Sequence, residues 1–371
     1  MPHDPYKALY VHIPFCVKRC GYCDFATSAI ARDDARIDAY VEQLVIDIRK
    51  LCKQGELFDV QTIYIGGGTP SHIGTARLSS LLYALSVSID LTRDNLEFTM
   101  EANPESLDER MVRDVWALGV NRLSLGVQSF DDDILRILGR AHDSNRAVEA
   151  IREAQTRFEN VSIDLMCGIP GQTLASLEQS VNLAIELGVT HVSMYPLTIE
   201  PHTAFDRAVL SGDMPEPDED VEAEHMLAAQ RILEHAGFTR YEVASYAKPG
   251  FESKHNSAYW TGVPYLGIGQ NATTMTQNDE RRMRVMNGEV IDDLDRKQME
   301  AEDLMLGMRM AKGVSDDRIA RAERFIPAVS DAFSSLETDG YVVHENGRWR
   351  PTTQGWLCGN DLYGRLLDLA P

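Results

Sequence analysis

Six short runs of apolar and β-branched residues set the frame into which this chain must fold. They are "ALYVHIPF" (8–15), "TIYIGGG" (62–68), "LEFTMEANP" (96–104), "RLSLGVQ" (122–128), "VSIDLMCGIP" (161–170) and "HVSMYPLT" (191–198). Each ends in glycine, proline or a polar residue, the pattern of a buried strand running into a turn. Between them lie amphipathic stretches such as "RIDAYVEQLVIDIRKLC" (36–52), "RLSSLLYALSVSI" (77–89) and "SLEQSVNLAIELG" (176–188). Strands that alternate with helices pair in parallel, because a parallel neighbour is reached only through a crossover. The expectation is an α/β fold, one large domain with an attachment in a chain of 371 residues. In such sheets functional groups gather at the carboxyl ends of the strands. Those ends carry three cysteines, "GGGTP" (66–70), Glu101 and Asn103, Gln128, Asp164 and "YPLT" (195–198).

Charge and cysteine usage narrow the function classes. Thirty-six Lys and Arg stand against 57 Asp and Glu, a net charge of −21. That is the wrong sign for a surface that neutralises phosphates, so nucleic acid is not the expected partner. No apolar run reaches the length of a membrane span, and "MPHDPYKALYVHIPF" lacks the basic start and cleavage site of a secretory signal. A cytoplasmic protein is expected. Six cysteines in a chain this long do not make a secreted disulfide framework, which leaves a reducing compartment and a metal site.

Cys16, Cys20 and Cys23 are spaced CxxxCxxC in a glycine-containing loop. A cubane iron–sulfur cluster fully ligated by protein needs four thiolates, so three leave one iron open to a ligand that is not protein. Zinc competes, with His12 or Asp24 as a fourth ligand, but the paired CxxC motifs of structural zinc sites are absent. The three glycines of "GGGTP" let a ligand approach backbone amides, or simply punctuate a turn. Arg140 offers a fork for a carboxylate or sits in a solvated ion pair. Asp164, inside an apolar strand, needs a partner. In "HNSAYW" (255–260) the His255 imidazole could ligate heme iron beside the flat faces of Tyr259 and Trp260, or could make ordinary hydrogen bonds while the aromatics pack between domains. Cys52 and Cys358 are expected as small buried hydrophobes, and Cys167, at the end of the fifth strand, faces either the site or the core, with the core favoured.

CxxxCxxC with Tyr22 before the third cysteine, followed by a glycine-rich second strand end, resembles the radical S-adenosylmethionine (SAM) superfamily. Within it, "YVHIPFCVKRCGYCDF", "GGGTP", "GVQSF" and "IDLMCGIPGQT" are similar to the oxygen-independent coproporphyrinogen III dehydrogenase group along nearly the whole chain. The resemblance implies an incomplete (β/α)6 TIM-type barrel with a C-terminal α+β winged-helix-like extension. It implies a 4Fe-4S cluster on Cys16, Cys20 and Cys23, with SAM on the open iron. Tyr10 and Tyr22 would neighbour the SAM site, Gly67, Gly68 and Thr69 would meet its methionyl end, and Glu101, Gln128, Arg140 and Asp164 would surround its ribose and sulfonium. Two departures matter: Phe25 stands where the dehydrogenase pattern has a fourth cysteine, and only nine residues precede Tyr10. Both, with "CxxCDF" and "HNSAYW", resemble the sister group of heme chaperones, HemW. That likeness implies heme binding involving His255 and transfer to acceptor hemoproteins of respiratory type, membrane-associated ones included, with an electron donor for the cluster. The alternatives are a radical SAM oxidoreductase acting on a porphyrinogen and a tRNA-modifying radical SAM enzyme, whose basic surface the acidic composition opposes.

Beyond residue 205 the acidic stretch 211–226 is expected as a solvated linker into a helix over 222–237, followed by a strand over 240–247. Helices over 301–310 and near 328–337, with a hairpin over 341–351 turned at Asn346 and Gly347, predict a helical unit with a wing. The expected units are 1–210, 211–295 and 296–371, the last a cover or docking surface.

Overall fold

A computed structural model describes residues 3–371. Strands β1 (Ala8–Ile13), β2 (Thr62–Gly67), β3 (Glu97–Ala102), β4 (Arg122–Gln128), β5 (Asn160–Cys167) and β6 (His191–Pro196) lie side by side in chain order, every neighbouring pair parallel. Helices α1 (Ala35–Gln54), α2 (Thr75–Ser86), α3 (Glu109–Ala117), α4 (Asp132–Leu138), α5 (Ser144–Gln155) and α6 (Leu174–Glu186) supply the crossovers. The strand order never returns β6 to β1, so the barrel stays open, as expected of an incomplete one.

Local chemistry explains these elements. In α1 the buried Ile37, Val41, Leu44 and Ile48 recur on one helical face. The Asp34 side chain caps its start by accepting from Arg36 N at 2.9 Å, and Gly55 ends it at φ 79°. Along β2, Ile63 and Ile65 belong to the apolar core, while Thr62 and Tyr64 reach other polar side chains across the inside of the curved sheet. The same alternation places Glu97, Glu101, Arg122, Ser162, Asp164 and His191 on inward strand positions. The barrel is therefore apolar on its helix-covered side and polar within.

Segment 204–295 extends both edges of the sheet. Helices α7 (Ala204–Ser211) and α8 (Glu219–His235) lead to β7 (Thr239–Arg240) and β8 (Ser245–Ala247), which continue the sheet antiparallel from β6. The acidic stretch begins its helix earlier than expected, at Glu219: Asp218 caps it, and Glu219, Asp220 and Glu222 fill the first turn, where the helix dipole favours negative charge. The expected strand over 240–247 is broken in two, because Tyr241 turns in to meet His191 (2.9 Å) and Glu242 accepts from Trp260 Nε1 (3.0 Å). After α9 (Lys254–Trp260), strand β9 (Tyr265–Ile268) pairs parallel with β1. From it β10 (Thr273–Gln277), β11 (Arg281–Met286) and β12 (Glu289–Asp295) run antiparallel to the outer edge, three strands that the sequence pattern did not reveal.

Helix α10 (Arg296–Met308) opens a second apolar core built on Leu304, Met308, Phe333, Leu336, Leu362 and Leu366. A three-stranded sheet completes this unit, its hairpin turned at Asn346 (φ 52°) and Gly347 (φ 73°) as a two-residue turn requires. Ion pairs join it to the main sheet: Arg282, 2 % exposed, pairs with Glu302 and Asp303, and Arg284 with Glu302. Of the remaining cysteines, Cys167 is buried, Cys52 is half-buried with its thiol toward Ser88 O, and Cys358 is exposed rather than buried because it sits in the junction between two short C-terminal helices.

Candidate functional site

The cysteines occupy a loop closed at its base by two short strands, Phe15–Cys16 and Ser28–Ala29, at the carboxyl end of β1. Cys16, Cys20 and Cys23 line a single cavity that is also walled by Tyr22, Gly67, Gly68, Thr69, Glu101, Gln128, Arg140 and Asp164. No three of the described His, Cys, Asp or Glu side chains converge as a mononuclear ion requires. Separate thiolates around one cavity suit a cubane, which takes one on each of three irons.

The glycine turn after β2 is shaped by close approach. A Cβ on Gly68 would lie 2.8 Å from Phe15 O and 2.9 Å from Ile13 O, and one on Gly66 would lie 2.9 Å from the Glu101 carboxyl. Its amides are already committed: Gly67 N donates to Glu101 Oε2 (3.0 Å), Gly68 N to Ile13 O (2.7 Å) and Thr69 N to Phe15 O (2.8 Å). The turn therefore offers a ligand room rather than free N–H donors. Opposite it, Gln128 holds φ 68°, a left-handed conformation uncommon for a residue with a side chain, where the β4–β5 register shifts.

Burial governs the electrostatics. It pushes the Cys16 thiol up to about 11, against the pull of the Thr69 hydroxyl, and also raises the Cys23 thiol. Metal coordination would have to offset that cost, since the thiolate is the ligand form. Asp164 is raised to about 7 by burial and then by the nearby Glu101 charge. Glu101 is itself raised by burial, while a bond from Tyr64 (2.6 Å to Oε1) and one from Gly67 N work the other way. Two carboxyls that resist sharing negative charge favour a cationic or hydroxyl-rich guest between them.

Two expected residues lie elsewhere. Tyr10 does not line the cavity: its hydroxyl pairs with His12 Nδ1 (3.0 Å), and the His12 ring sits behind Gly67, where a Cβ would come within 2.4 Å of it. His255 lies at the opposite, amino end of the barrel, 1 % exposed, stacked on Tyr64 (5.0 Å between centroids). Its Nδ1 is paired with Thr62 Oγ1 (2.9 Å) and its Nε2 with the Tyr259 hydroxyl (3.1 Å). Burial, then the Arg122 charge, lowers it to about 3, which keeps the imidazole neutral. Helix α9 is held there by Glu97, which accepts from Lys254 N (2.8 Å) and His255 N (3.0 Å), a carboxylate at a helix N-terminus. The cavity also holds residues that sequence reasoning did not assign, chiefly Gly126, Ser124 and Lys18, with Asn103 noted only as a strand end. Period-two counting from Gln128 would have placed Gly126 and Ser124 on the same inward face.

Comparison with known proteins fits this arrangement. Residues 10–184 match the Radical SAM superfamily, and residues 294–358 match the HemN C-terminal domain. The chain is 34 % identical to the protein named heme chaperone HemW of Bacillus subtilis (strain 168), over 97 % of this chain and 99 % of that one. It is 38 % identical to the protein of the same name of Escherichia coli (strain K12), over 72 % and 70 %. In fold it is similar to the structure described as coproporphyrinogen III oxidase (HemN) from Escherichia coli, a radical SAM enzyme, with a TM-score of 0.79 and 21 % identity, covering all of this chain and 90 % of that one. An open six-stranded barrel, three cysteines on one cavity and relatives matching from end to end place the chain in the HemW family of the radical SAM superfamily.

Proposed function

We propose that the protein binds heme and delivers it to acceptor hemoproteins, carrying a 4Fe-4S cluster on Cys16, Cys20 and Cys23 and SAM beside it. The observation that carries this reading is end-to-end similarity to relatives named heme chaperone HemW, combined with a cavity lined by all three cysteines and the glycine turn. The residues fit them. Cys16 and Cys20 already receive hydrogen bonds from Thr69 and Arg140, and Gly66, Gly67 and Gly68 keep the turn free of side chains. When bound, the cluster supplies one-electron chemistry and an open iron. Arg140, half-buried with its buried Nε unpartnered, holds positive charge against the thiolates. Asp164 and Glu101 orient hydroxyl or cationic parts of the guest, and the strained Gln128 fixes the far wall. Tyr10 supports Gly67 through His12 rather than touching the guest.

Heme has a different address in this reading. The His255 imidazole is neutral, the form that ligates iron, but both ring nitrogens are engaged. Ligation therefore requires one ring nitrogen to be freed, Nε2 from the Tyr259 hydroxyl or Nδ1 from Thr62, while the other keeps its partner. Acceptors are respiratory hemoproteins, the setting is the cytoplasm, and a redox protein reduces the cluster. Six unbridged cysteines among the described residues suit a reducing compartment, and none of the described helices is long and apolar enough to cross a membrane.

The test is anaerobic reconstitution, with heme added to one sample and dithionite, SAM and coproporphyrinogen III to another. Stoichiometric heme binding with a Soret shift, lost in a folded His255→Ala variant, supports the reading. Accumulation of decarboxylated product with 5′-deoxyadenosine would replace it by a dehydrogenase.

A further inference from the structure

We propose that Asn103 is a positioning residue that aims hydrogen bonds at two of the three cluster thiolates, through Thr69 on one side and Arg140 on the other, and so sets how easily the cluster is reduced. This rests on the cluster being held by Cys16, Cys20 and Cys23, not on heme delivery.

Asn103 follows β3, just before Pro104, and lines the cavity. Its orientation is unambiguous. A guanidinium only donates, so the atom 2.9 Å from Arg140 Nη2 is the carbonyl Oδ1. The other end, Nδ2, then donates to Thr69 Oγ1 at 2.9 Å. A hydroxyl that accepts from this amide has its single proton left to give, and Cys16 Sγ stands 3.5 Å from Thr69 Oγ1. On the other side Arg140 Nη1 lies 3.4 Å from Cys20 Sγ, while Nη2 also donates to Gly126 O at 2.6 Å. One amide thus links the donors of two cluster ligands.

The surroundings fix that amide. Asn103 N donates to Ser71 Oγ (3.2 Å), and Asn103 O accepts from Ser106 N (3.1 Å). Gly126 on the neighbouring strand makes room for it: a Cβ there would lie 2.6 Å from Asn103 Oδ1 and 3.2 Å from Arg140 Nη2. Gly126 is not in the left-handed region, so its missing side chain serves space rather than backbone freedom. Hydrogen bonds to cluster sulfurs stabilise the more negative, reduced form and raise the reduction potential.

The experiment is an EPR-monitored titration of the anaerobically reconstituted full chain, with dithionite as reductant and redox mediators. Wild type is compared with Thr69→Val, Thr69→Ser, Asn103→Ala and the Asn103→Ala/Thr69→Val double variant. At the wild-type midpoint, Thr69→Val should lower the reduced-to-oxidised ratio about threefold, the scale of one net hydrogen bond, and Thr69→Ser should leave it unchanged. Asn103→Ala should lower the ratio more, by roughly tenfold, and adding Thr69→Val should lower it no further, because the hydroxyl has already lost its aim. An Asn103→Ala cluster that titrates like wild type, or two losses that multiply, overturns the proposal. Should Asn103→Ala hold no cluster, the two Thr69 variants decide: equal midpoints refute a role for the hydroxyl, and a lower midpoint for Val alone supports it. A merely structural role would change cluster content and leave the midpoint where it was.

Discussion

The two mouths of the barrel are finished by opposite means. At the carboxyl mouth the chain removes side chains, with Gly66, Gly67, Gly68 and Gly126, and leaves a cavity ringed by cysteines and carboxyls. At the amino mouth it inserts them: α9 pushes His255 between Thr62, Tyr64 and Tyr259, and Glu97 seals the helix start. One mouth keeps polar groups in reserve for a guest, whereas the other satisfies them within the protein. Buried polar groups are tolerated under either condition, and only the first leaves a vacancy for chemistry.

If the amino mouth is a seal, a large stability loss should come from Glu97. Glu97→Ala strands the buried His255 amide and the partly buried Lys254 amide and should lower the unfolding free energy of the apoprotein by roughly 2–4 kcal/mol in urea titrations. A loss below about 1 kcal/mol would show that packing alone holds α9. His255→Ala should cost roughly 2–4 kcal/mol. Because this imidazole is depressed to about 3, the unfolded chain gains protons first as pH falls below the ordinary histidine value. Wild-type stability should therefore decline from about pH 6.5 toward 3, with a shallower decline in the variant, as read by urea midpoints across pH. A parallel pair of pH curves would break the picture of a sealed neutral imidazole.

The carboxyl mouth should answer pH in the opposite sense. Asp164 is raised to about 7, so its contribution to apoprotein stability is full below about pH 4 and is lost as pH rises through 7. Asp164→Asn should stabilise the apoprotein at pH 8 by roughly 1–3 kcal/mol while weakening SAM binding measured by calorimetry. Destabilisation at pH 8 would mean that the carboxylate already has a partner. The smallest effect belongs to the rim, where Phe25 is 61 % exposed. Phe25→Ser should change stability by no more than about 0.5 kcal/mol.

The comparison also explains what was legible in sequence. The carboxyl mouth was legible because glycines, cysteines and strand-end carboxyls violate the apolar pattern of the runs that carry them, and nearly all of the expected residues meet there. The six parallel strands and their crossovers were legible from alternation of Ile63 and Ile65 type positions with polar ones. The amino mouth was not, because the role of His255 depends on Thr62 and Glu97, which are more than 150 residues away. Tyr10, expected as a neighbour of the SAM site, stands one layer back from the cavity, and no local signal shows that His12 lies between it and Gly67. Strands β10 to β12 escaped because "TTMTQ" is polar but for one methionine, while "RRMRVM" and "EVIDDLD" carry charge that masks their period.

The outermost position of β12 bears on how the protein behaves when concentrated. A sheet that never closes leaves an edge whose unpaired amides and carbonyls could template growth onto a second molecule, and Val290 and Ile291 are exposed there. Asp292 and Asp293 on this strand are paired with Arg284 and Arg281, which leaves Glu289 and Asp295 to carry negative charge along the edge of a chain whose net charge is −21. Two such edges repel before they can register, so acidity at the rim protects an open barrel from self-assembly.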